Sequence, residues 1–300
     1  MNKHRHSVRL PIIGLLMSAL CWGVVWYPYR WLNMQGVSAL PASMLTYVLA
    51  LLLGFPWYRR HWRSIFSQTN AWLILALGAG FTNTAYVLAV IHGEIMRVAL
   101  LFYLAPLWTM VFARLLLREK LSWMGYWIMA LAFSGAIVML WHPDGRWPLP
   151  ANGSEWLGLV AGVGFAFTNV WARKTEALPL QTKALAIWVG CILMPLLMMP
   201  VAMAMSGSFW YGLFWQGVSG MSWLVLLAVA LAMFSATLLL QYGLARVAAS
   251  RAIVILLSEL VVSALSSWWL ADELLVGKEW VGAVMIMAAS FFSGHLDQED

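Results

Sequence analysis

The chain has 300 residues, of which 63% are hydrophobic and only 10% are charged. A soluble domain is nearer half apolar and a quarter charged, so this composition excludes a nucleic-acid-binding domain, a disordered protein and a disulfide scaffold. The formal charge of +6 is spread along the chain. It indicates orientation in a membrane rather than a phosphate-binding patch.

Ten apolar segments follow one another along the chain, separated by turn residues or charges. A helix needs about 20 mainly apolar residues to cross a bilayer. In chain order the segments are Leu10–Trp31, Ala39–Trp57, Ala71–Ile91, Ile95–Leu116, Ser122–Trp141, Glu155–Ala172, Thr182–Met205, Met221–Leu244, Arg251–Leu270 and Lys278–Ser293. The sequence therefore predicts an all-α integral membrane protein with ten transmembrane helices.

The basic residues predict how these helices are oriented. With the N-terminus in the cytoplasm, only Arg30, Arg97, Arg146 and Lys278 of the 18 arginines and lysines fall outside. The positive-inside rule therefore favours two cytoplasmic termini. The first apolar stretch is longer than the core of a signal peptide, and no small-residue cleavage site closes it. We therefore expect a retained first helix.

An internal repeat relates the two halves of the chain. At one constant offset Arg97, Leu116, Glu119 and Leu121 align with Arg251, Leu270, Glu273 and Leu275; at a second offset Gly14, Leu15 and Arg30 align with Gly158, Leu159 and Lys174. Each half holds five segments, and five is odd, so the second half enters the membrane from the opposite side. Two inverted repeats, residues 1–147 and 148–300, indicate a secondary transporter with its binding site near the midplane.

Two matching stretches carry a family resemblance. Residues Arg97–Pro106 (RVALLFYLAP) are followed by Glu119–Leu121 (EKL), and Ser258–Leu260 (SEL) is followed by Glu273–Leu275 (ELL). In this pattern the chain resembles an EamA-type permease of the drug/metabolite transporter superfamily. The stretch Tyr103–Ala113 (YLAPLWTMVFA) is similar to the fourth helix of the YddG-like aromatic amino-acid exporters.

The sequence departs from the family pattern at three positions. Leu260 stands where proline is usual, and Arg118 and Asp272 stand where glycine is usual. The departure at Leu260 weakens any expectation of how the ninth helix bends. None of the three alters the expected fold.

The resemblance implies a fold and a function. Eight helices would ring a central cavity, with the fifth and tenth helices at the periphery. The protein would sit as a monomer or homodimer in the bacterial inner membrane and export aromatic or neutral amino acids by alternating access, without a cofactor or nucleic acid. Efflux of amphipathic cationic drugs by the same fold is the alternative.

A polar group within the hydrocarbon core costs free energy unless it has a hydrogen-bond or charge partner or contacts water. Polar residues there are therefore candidates for substrate contact. Glu259 is the strongest candidate. Its carboxyl could couple proton movement to transport, contact a cationic group of the substrate, or be a hydrogen-bonded packing residue. Ser263 and Ser266 follow it on one face and are expected to face the bundle interior. The predicted substrate-binding residues are Trp22, Trp26, Asn83, Tyr86, Tyr103, Trp108, Phe165, Asn169, Thr237, Gln241 and Glu259, with Pro106 as the candidate gate.

Arg97 and Arg251 each begin a predicted helix, where the helix dipole disfavours a cation. Each should therefore have a carboxylate or carbonyl partner, and we expect Glu94 to support Arg97.

The sequence carries no recognised catalytic signature. It has no HExxH, GxSxG or Walker A pattern and no cluster of histidines with carboxylates, so no metal site is predicted. A membrane-embedded enzyme of envelope metabolism is the less favoured alternative to a transporter of small molecules.

Overall fold

A computed structural model describes residues 3–60, 65–66, 68–118, 123–141, 147, 149–175, 178–206, 219–244, 246–247, 255–256, 258–273 and 277–296. Within these ranges the regular elements are all helices. They are α1 (Lys3–Val24), α2 (Trp26–Met34), α3 (Ala39–Tyr58), α4 (Thr69–His92), α5 (Ile95–Phe102), α6 (Ala105–Phe112), α7 (Trp123–Leu140), α8 (Gly153–Lys174), α9 (Leu180–Ser206), α10 (Gly220–Leu244), α11 (Ser258–Ala271) and α12 (Gly277–Leu296). Arg251 and Glu119, which the repeat singled out, lie outside the described residues.

Six helical segments of the described chain are long and apolar enough to cross a membrane. They are Leu10–Met34, Thr69–His92, Ile95–Leu117, Trp123–Leu140, Leu180–Met198 and Gly220–Gly243. The all-helical membrane fold expected from the sequence is therefore confirmed. The count of ten crossings stays a prediction.

Two of the long apolar segments are interrupted, and a proline accounts for each break. The segment 10–34 is divided at Val25, and the segment 95–117 is divided between Phe102 and Ala105. Proline cannot donate to the carbonyl four residues earlier, and its ring clashes with that carbonyl. Pro28 stands four residues after the last residue of α1, and Pro106 stands four residues after Phe102, the last residue of α5.

The segment after α6 ends in an unusual backbone conformation. Residues Ala113–Leu117 form a π-helical turn that ends at Arg118, whose φ is +58°. Asp272, directly after α11, has a φ of +54°. This left-handed region favours glycine, so both departures from the family's glycine occupy positions where glycine is the least strained residue.

Helices of the two halves pack against each other throughout the bundle. The principal pairs are α7 with α12, α4 with α8 and α9, α1 with α10 and α11, α3 with α9 and α10, and α5 and α6 with α8. Glycines permit close approaches between helices: a Cβ on Gly162 of α8 would lie 2.6 Å from the carbonyl oxygen of Phe102. The halves are therefore interleaved rather than separate bodies.

Candidate functional site

Four aromatic side chains meet where α5 ends, and we call them the aromatic cluster: Tyr86, Phe102, Tyr103 and Phe165. Phe102 lies at its centre, with ring centroids 5.0 Å from Tyr86, 5.2 Å from Phe165 and 5.9 Å from Tyr103. Offset and edge-to-face ring pairs at these separations attract one another. Three of the predicted site residues are thus brought together by α4, α5 and α8.

Glu259 lies beside this cluster. Its carboxyl is close enough to the Tyr103 and Tyr86 side chains to interact electrostatically with both. The Tyr103 hydroxyl lies 3.3 Å from the carbonyl oxygen of Leu256. Because Glu259 is the second residue of α11, the structure places one carboxyl and four rings where α4, α5, α8 and α11 meet.

Trp26 lies in the core beside the break between α1 and α2. Its side chain is only 1% exposed, and its indole N–H donates to the Ser266 hydroxyl at 3.0 Å. The Ser266 and Ser263 hydroxyls both reach the carbonyl oxygen of Gly23, at 3.1 and 3.4 Å. The predicted serine face of α11 does turn inward, and it satisfies a carbonyl near the end of α1.

Of the predicted amide and hydroxyl residues, Asn83 connects two helices and Thr237 bonds within its own helix. The Asn83 amide accepts from the Tyr47 hydroxyl at 3.0 Å and donates to the Ser43 hydroxyl at 2.8 Å, which connects α4 to α3. The Thr237 hydroxyl donates to the Met233 carbonyl of its own helix at 2.8 Å.

The remaining predicted residues differ in their surroundings. Asn169 is exposed on α8, one turn beyond Phe165, and Gln241 is half-buried near the end of α10. The indole N–H groups of Trp22 and Trp108 are buried and have no acceptor within the described part of the chain. They are therefore donors that a bound molecule could use.

Five charged residues gather at one end of the bundle, which we call the carboxylate end: Arg30, Arg97, Glu155, Glu273 and Glu279. Arg30 donates to the Val90 carbonyl at 2.8 Å, to the Gly93 carbonyl, and to the Glu273 carboxylate at 3.1 Å.

The second oxygen of Glu273 accepts from the backbone N–H of Ile95, at the start of α5, at 2.7 Å. Burial raises the pKa of the Glu273 carboxyl, while Arg30 and the Ile95 N–H oppose that rise.

The expectation that Glu94 supports Arg97 is wrong. The Arg97 Nε atom lies 3.3 Å from Glu155 and 3.6 Å from Glu279, while Glu94 is exposed. Glu155 already belongs to the start of α8, where it bonds Asn152 in a reciprocal cap. The partner is of the expected chemical type, but tertiary packing supplies it from the second half of the chain.

Sequence reasoning missed Phe102, although it is the centre of the aromatic cluster. A single phenylalanine in an apolar run carries no signal of its own. Gly158 and Gly162 of α8 form a small-xxx-small pattern, which predicts close helix contact. They pack against Val98 and Phe102 of α5. The pattern therefore predicts that α8 lies close to another helix, but it does not identify Phe102 as the residue at the contact.

Comparisons with known proteins agree with this architecture. Residues 9–141 match the model of the EamA-like transporter family. An uncharacterized transporter of Pseudomonas aeruginosa is 25% identical over 150 residues, and the match spans 49% of this chain and 47% of that protein. The chain thus matches about half the length of this curated relative.

A solved crystal structure shares the fold. The superposition includes 97% of this chain and 99% of the chain in that structure, with a TM-score of 0.57 and 17% sequence identity. This likeness shows a shared fold, and the match of residues 9–141 to the EamA-like transporter family confirms the resemblance to EamA-type permeases over that part of the chain. Both the family and the relative are described as transporters.

Proposed function

We propose that this EamA-type membrane protein is a secondary transporter that exports aromatic or neutral amino acids by alternating access. In this proposal its ten membrane-spanning helices form two inverted five-helix repeats, residues 1–147 and 148–300. The protein lies in the bacterial inner membrane with both termini in the cytoplasm, so the carboxylate end faces outward.

The pattern of helix packing supports the inverted-repeat architecture of this proposal. We count α1–α2 as one span and α5–α6 as one span. Replacing each span by its counterpart in the other half then turns every principal helix pair either into another principal pair or into itself. The pair α4–α8 becomes α10–α1, α4–α9 becomes α10–α3, and α8 with α5–α6 becomes α1–α11. The pairs α7–α12 and α3–α9 map onto themselves. Such packing is what an inverted repeat requires.

The aromatic cluster and Glu259 support the choice of substrate. A substrate amine can pair with the carboxyl, while an aromatic side chain can stack on the rings. The unpartnered indole N–H groups of Trp22 and Trp108 are available to a substrate carboxylate. The other predicted lining residues, Trp26, Asn83, Asn169, Thr237 and Gln241, would shape or brace the pathway, and Pro106 would permit α6 to move relative to α5.

Transport by the purified full-length protein in proteoliposomes tests the proposal. We expect labelled phenylalanine to accumulate by counterflow, and unlabelled tyrosine or leucine to compete. Empty liposomes control for leakage. Counterflow of a cationic dye, with none of phenylalanine, would refute amino-acid export and favour drug efflux. No counterflow of either class would refute the transporter.

A series of imposed pH gradients tests coupling at Glu259. If Glu259 couples proton movement to export, Glu259→Gln should abolish the response of transport to the gradient. Transport by the variant that responds between pH 6 and 8 like the native protein would refute this role.

A further inference from the structure

A small apolar cluster lies between the carboxylate end and the aromatic cluster, and we call it the apolar plug: Trp26, Ala89, Val90, Ile95 and Val98. Each of these side chains is at most 1% exposed. They come from α2, α4 and α5, and residues of α8 and α11 pack against them. Tyr86 lies one turn of α4 deeper than Val90, and Phe102 lies one turn of α5 deeper than Val98. The plug therefore separates the aromatic cluster from the carboxylate end.

Polar contacts made by α2 hold its part of the plug against the second half of the chain. At the start of α2 the Trp26 indole N–H donates to the Ser266 hydroxyl of α11 at 3.0 Å. One turn later Arg30 donates to the Glu273 carboxylate at 3.1 Å. Water can replace the protein partner in contacts of this kind, so both can break and form again when α2 moves into an aqueous mouth.

The two ends of α2 permit such a movement. Pro28 has no N–H for the Val24 carbonyl, so bending between α1 and α2 breaks one hydrogen bond fewer than bending elsewhere in the span. At the other end the chain leaves α2 through Gly36, which has a φ of +84° and where a Cβ would meet nothing within 4 Å. α2 is thus a short rod between two points at which the backbone can turn.

α5, which also contributes to the plug, is held in place independently of α2. Arg97 of α5 lies 3.3 Å from Glu155 of α8. A Cβ on Gly158 of α8 would lie 3.1 Å from the Val98 carbonyl oxygen, so the two helices pack backbone against backbone. Glu273 also accepts from the N–H of Ile95 at 2.7 Å, a bond that does not involve Arg30. α2 can therefore leave the plug without displacing α5.

We propose that α2 is the outer gate of this transporter. The gate is closed in the structure. It opens by turning about the break at Val25, which withdraws Trp26 from the plug and separates Arg30 from Glu273. This inference rests on the proposed function, which places the carboxylate end outside the cell.

The labelling rate of a cysteine in the plug measures how often the gate opens. Ala89→Cys is introduced into the full-length protein with Cys21 and Cys191 changed to alanine, and a membrane-impermeant thiol reagent is added outside intact cells. The rate follows the population of the open form. Arg30→Gln should raise it about tenfold and Trp26→Phe about fivefold, as loss of a charge-assisted and of a neutral hydrogen bond predicts.

Two controls separate gate opening from general loosening. Ala76→Cys is buried on the same helix toward its other end, and its rate should not change with Arg30→Gln. Arg60→Gln, at an exposed site, should leave the labelling of Ala89→Cys unchanged. The proposal is overturned if Arg30→Gln leaves the labelling of Ala89→Cys unchanged or raises that of Ala76→Cys equally.

Distances between spin labels show which helix moves. In Arg30→Gln protein in nanodiscs, labels at Met34, which ends α2, and Gly153, which begins α8, should move apart. Labels at Glu94 and Gly153 should keep their native distance, because Arg97 still joins α5 to Glu155. An unchanged distance from Met34, or an equal change at Glu94, contradicts a gate formed by α2.

The gate and the proposed function fail in different ways. If phenylalanine shows counterflow but the labelling of Ala89→Cys does not respond to Arg30→Gln, the gate is refuted and amino-acid export stands. If the labelling responds as expected but no amino acid shows counterflow, export is refuted and the gate stands.

Discussion

Replacing Arg30 with glutamine should destabilise the carboxylate end more at high pH than at low pH. Arg30 connects α2 to the carbonyls of Val90 and Gly93 at the end of α4, and to Glu273 after α11. Glutamine is neutral and shorter, so the two carbonyls lose a donor. The Glu273 carboxylate keeps only the N–H of Ile95.

The size of the effect follows from the burial of the pair. The Arg30 and Glu273 side chains are 23% and 18% exposed. Removing one partner of a buried pair costs about 3–5 kcal/mol, whereas an exposed pair contributes about 0–1 kcal/mol. This pair lies between those limits, so we expect a loss of about 2–3 kcal/mol in the free energy of unfolding near neutral pH.

The pH dependence has a definite sign. Burial raises the pKa of Glu273 above its ordinary value of 4.5, so the folded protein binds this proton more tightly than the unfolded chain. The resulting stability is complete below pH 4.5 and is lost as pH rises through the folded-state pKa. Loss of Arg30 raises that pKa further, so the penalty of Arg30→Gln should be smaller at pH 5 than at pH 8.

Unfolding of the protein in nanodiscs, followed at pH 5 and pH 8, measures both effects. A double-mutant cycle with Glu273→Gln should give a coupling energy of about 1–2 kcal/mol at pH 8, since the residues are in contact. Arg60→Gln is a control at an exposed site. Losses that are additive and equal at both pH values would refute the reasoning.

Two further substitutions test the packing around the helix breaks. Gly162→Ala should lower the free energy of unfolding by about 1–3 kcal/mol through overpacking, because its Cβ would lie 2.6 Å from the Phe102 carbonyl oxygen. The control is Gly153→Ala, whose Cβ would meet nothing within 4 Å and which should unfold like the native protein. Equal stability of the two variants in thermal unfolding would contradict this contact. Ser266→Ala should cost about 1–3 kcal/mol, since it leaves the buried indole N–H of Trp26 without its acceptor, and full stability of this variant in the same assay would count against the bond.

The helices and their interruptions could be predicted largely from local sequence. Apolar length alone locates the long membrane helices, because a bilayer requires the same length whatever surrounds the helix. Pro106 likewise indicates a break in the fourth segment, through its missing N–H. Pro28 carries the same signal for the break after Val24, and the sequence reasoning did not use it.

Partners across the bundle could not be predicted in this way. The helix dipole indicates that Arg97 needs a carboxylate partner. From the sequence alone, Glu94 and Glu155 satisfy that requirement equally well. Only packing of α5 against α8 favours Glu155. Phe102 illustrates the same limit, because its central position results from Gly162 and not from any property of its own neighbours in sequence.

The two helix breaks in the first half are both covered by helices of the second half. At the first break, Pro28 leaves the Val24 carbonyl without its helical donor, and the neighbouring Gly23 carbonyl receives the Ser266 hydroxyl of α11. At the second break, Pro106 frees the Phe102 carbonyl, which faces Gly162 of α8. A backbone group freed by a proline must find a partner or a close apolar cover within the membrane. Both breaks therefore lie against the other half of the chain, through the Trp26–Ser266 hydrogen bond at the first and the contact of Phe102 with Gly162 at the second.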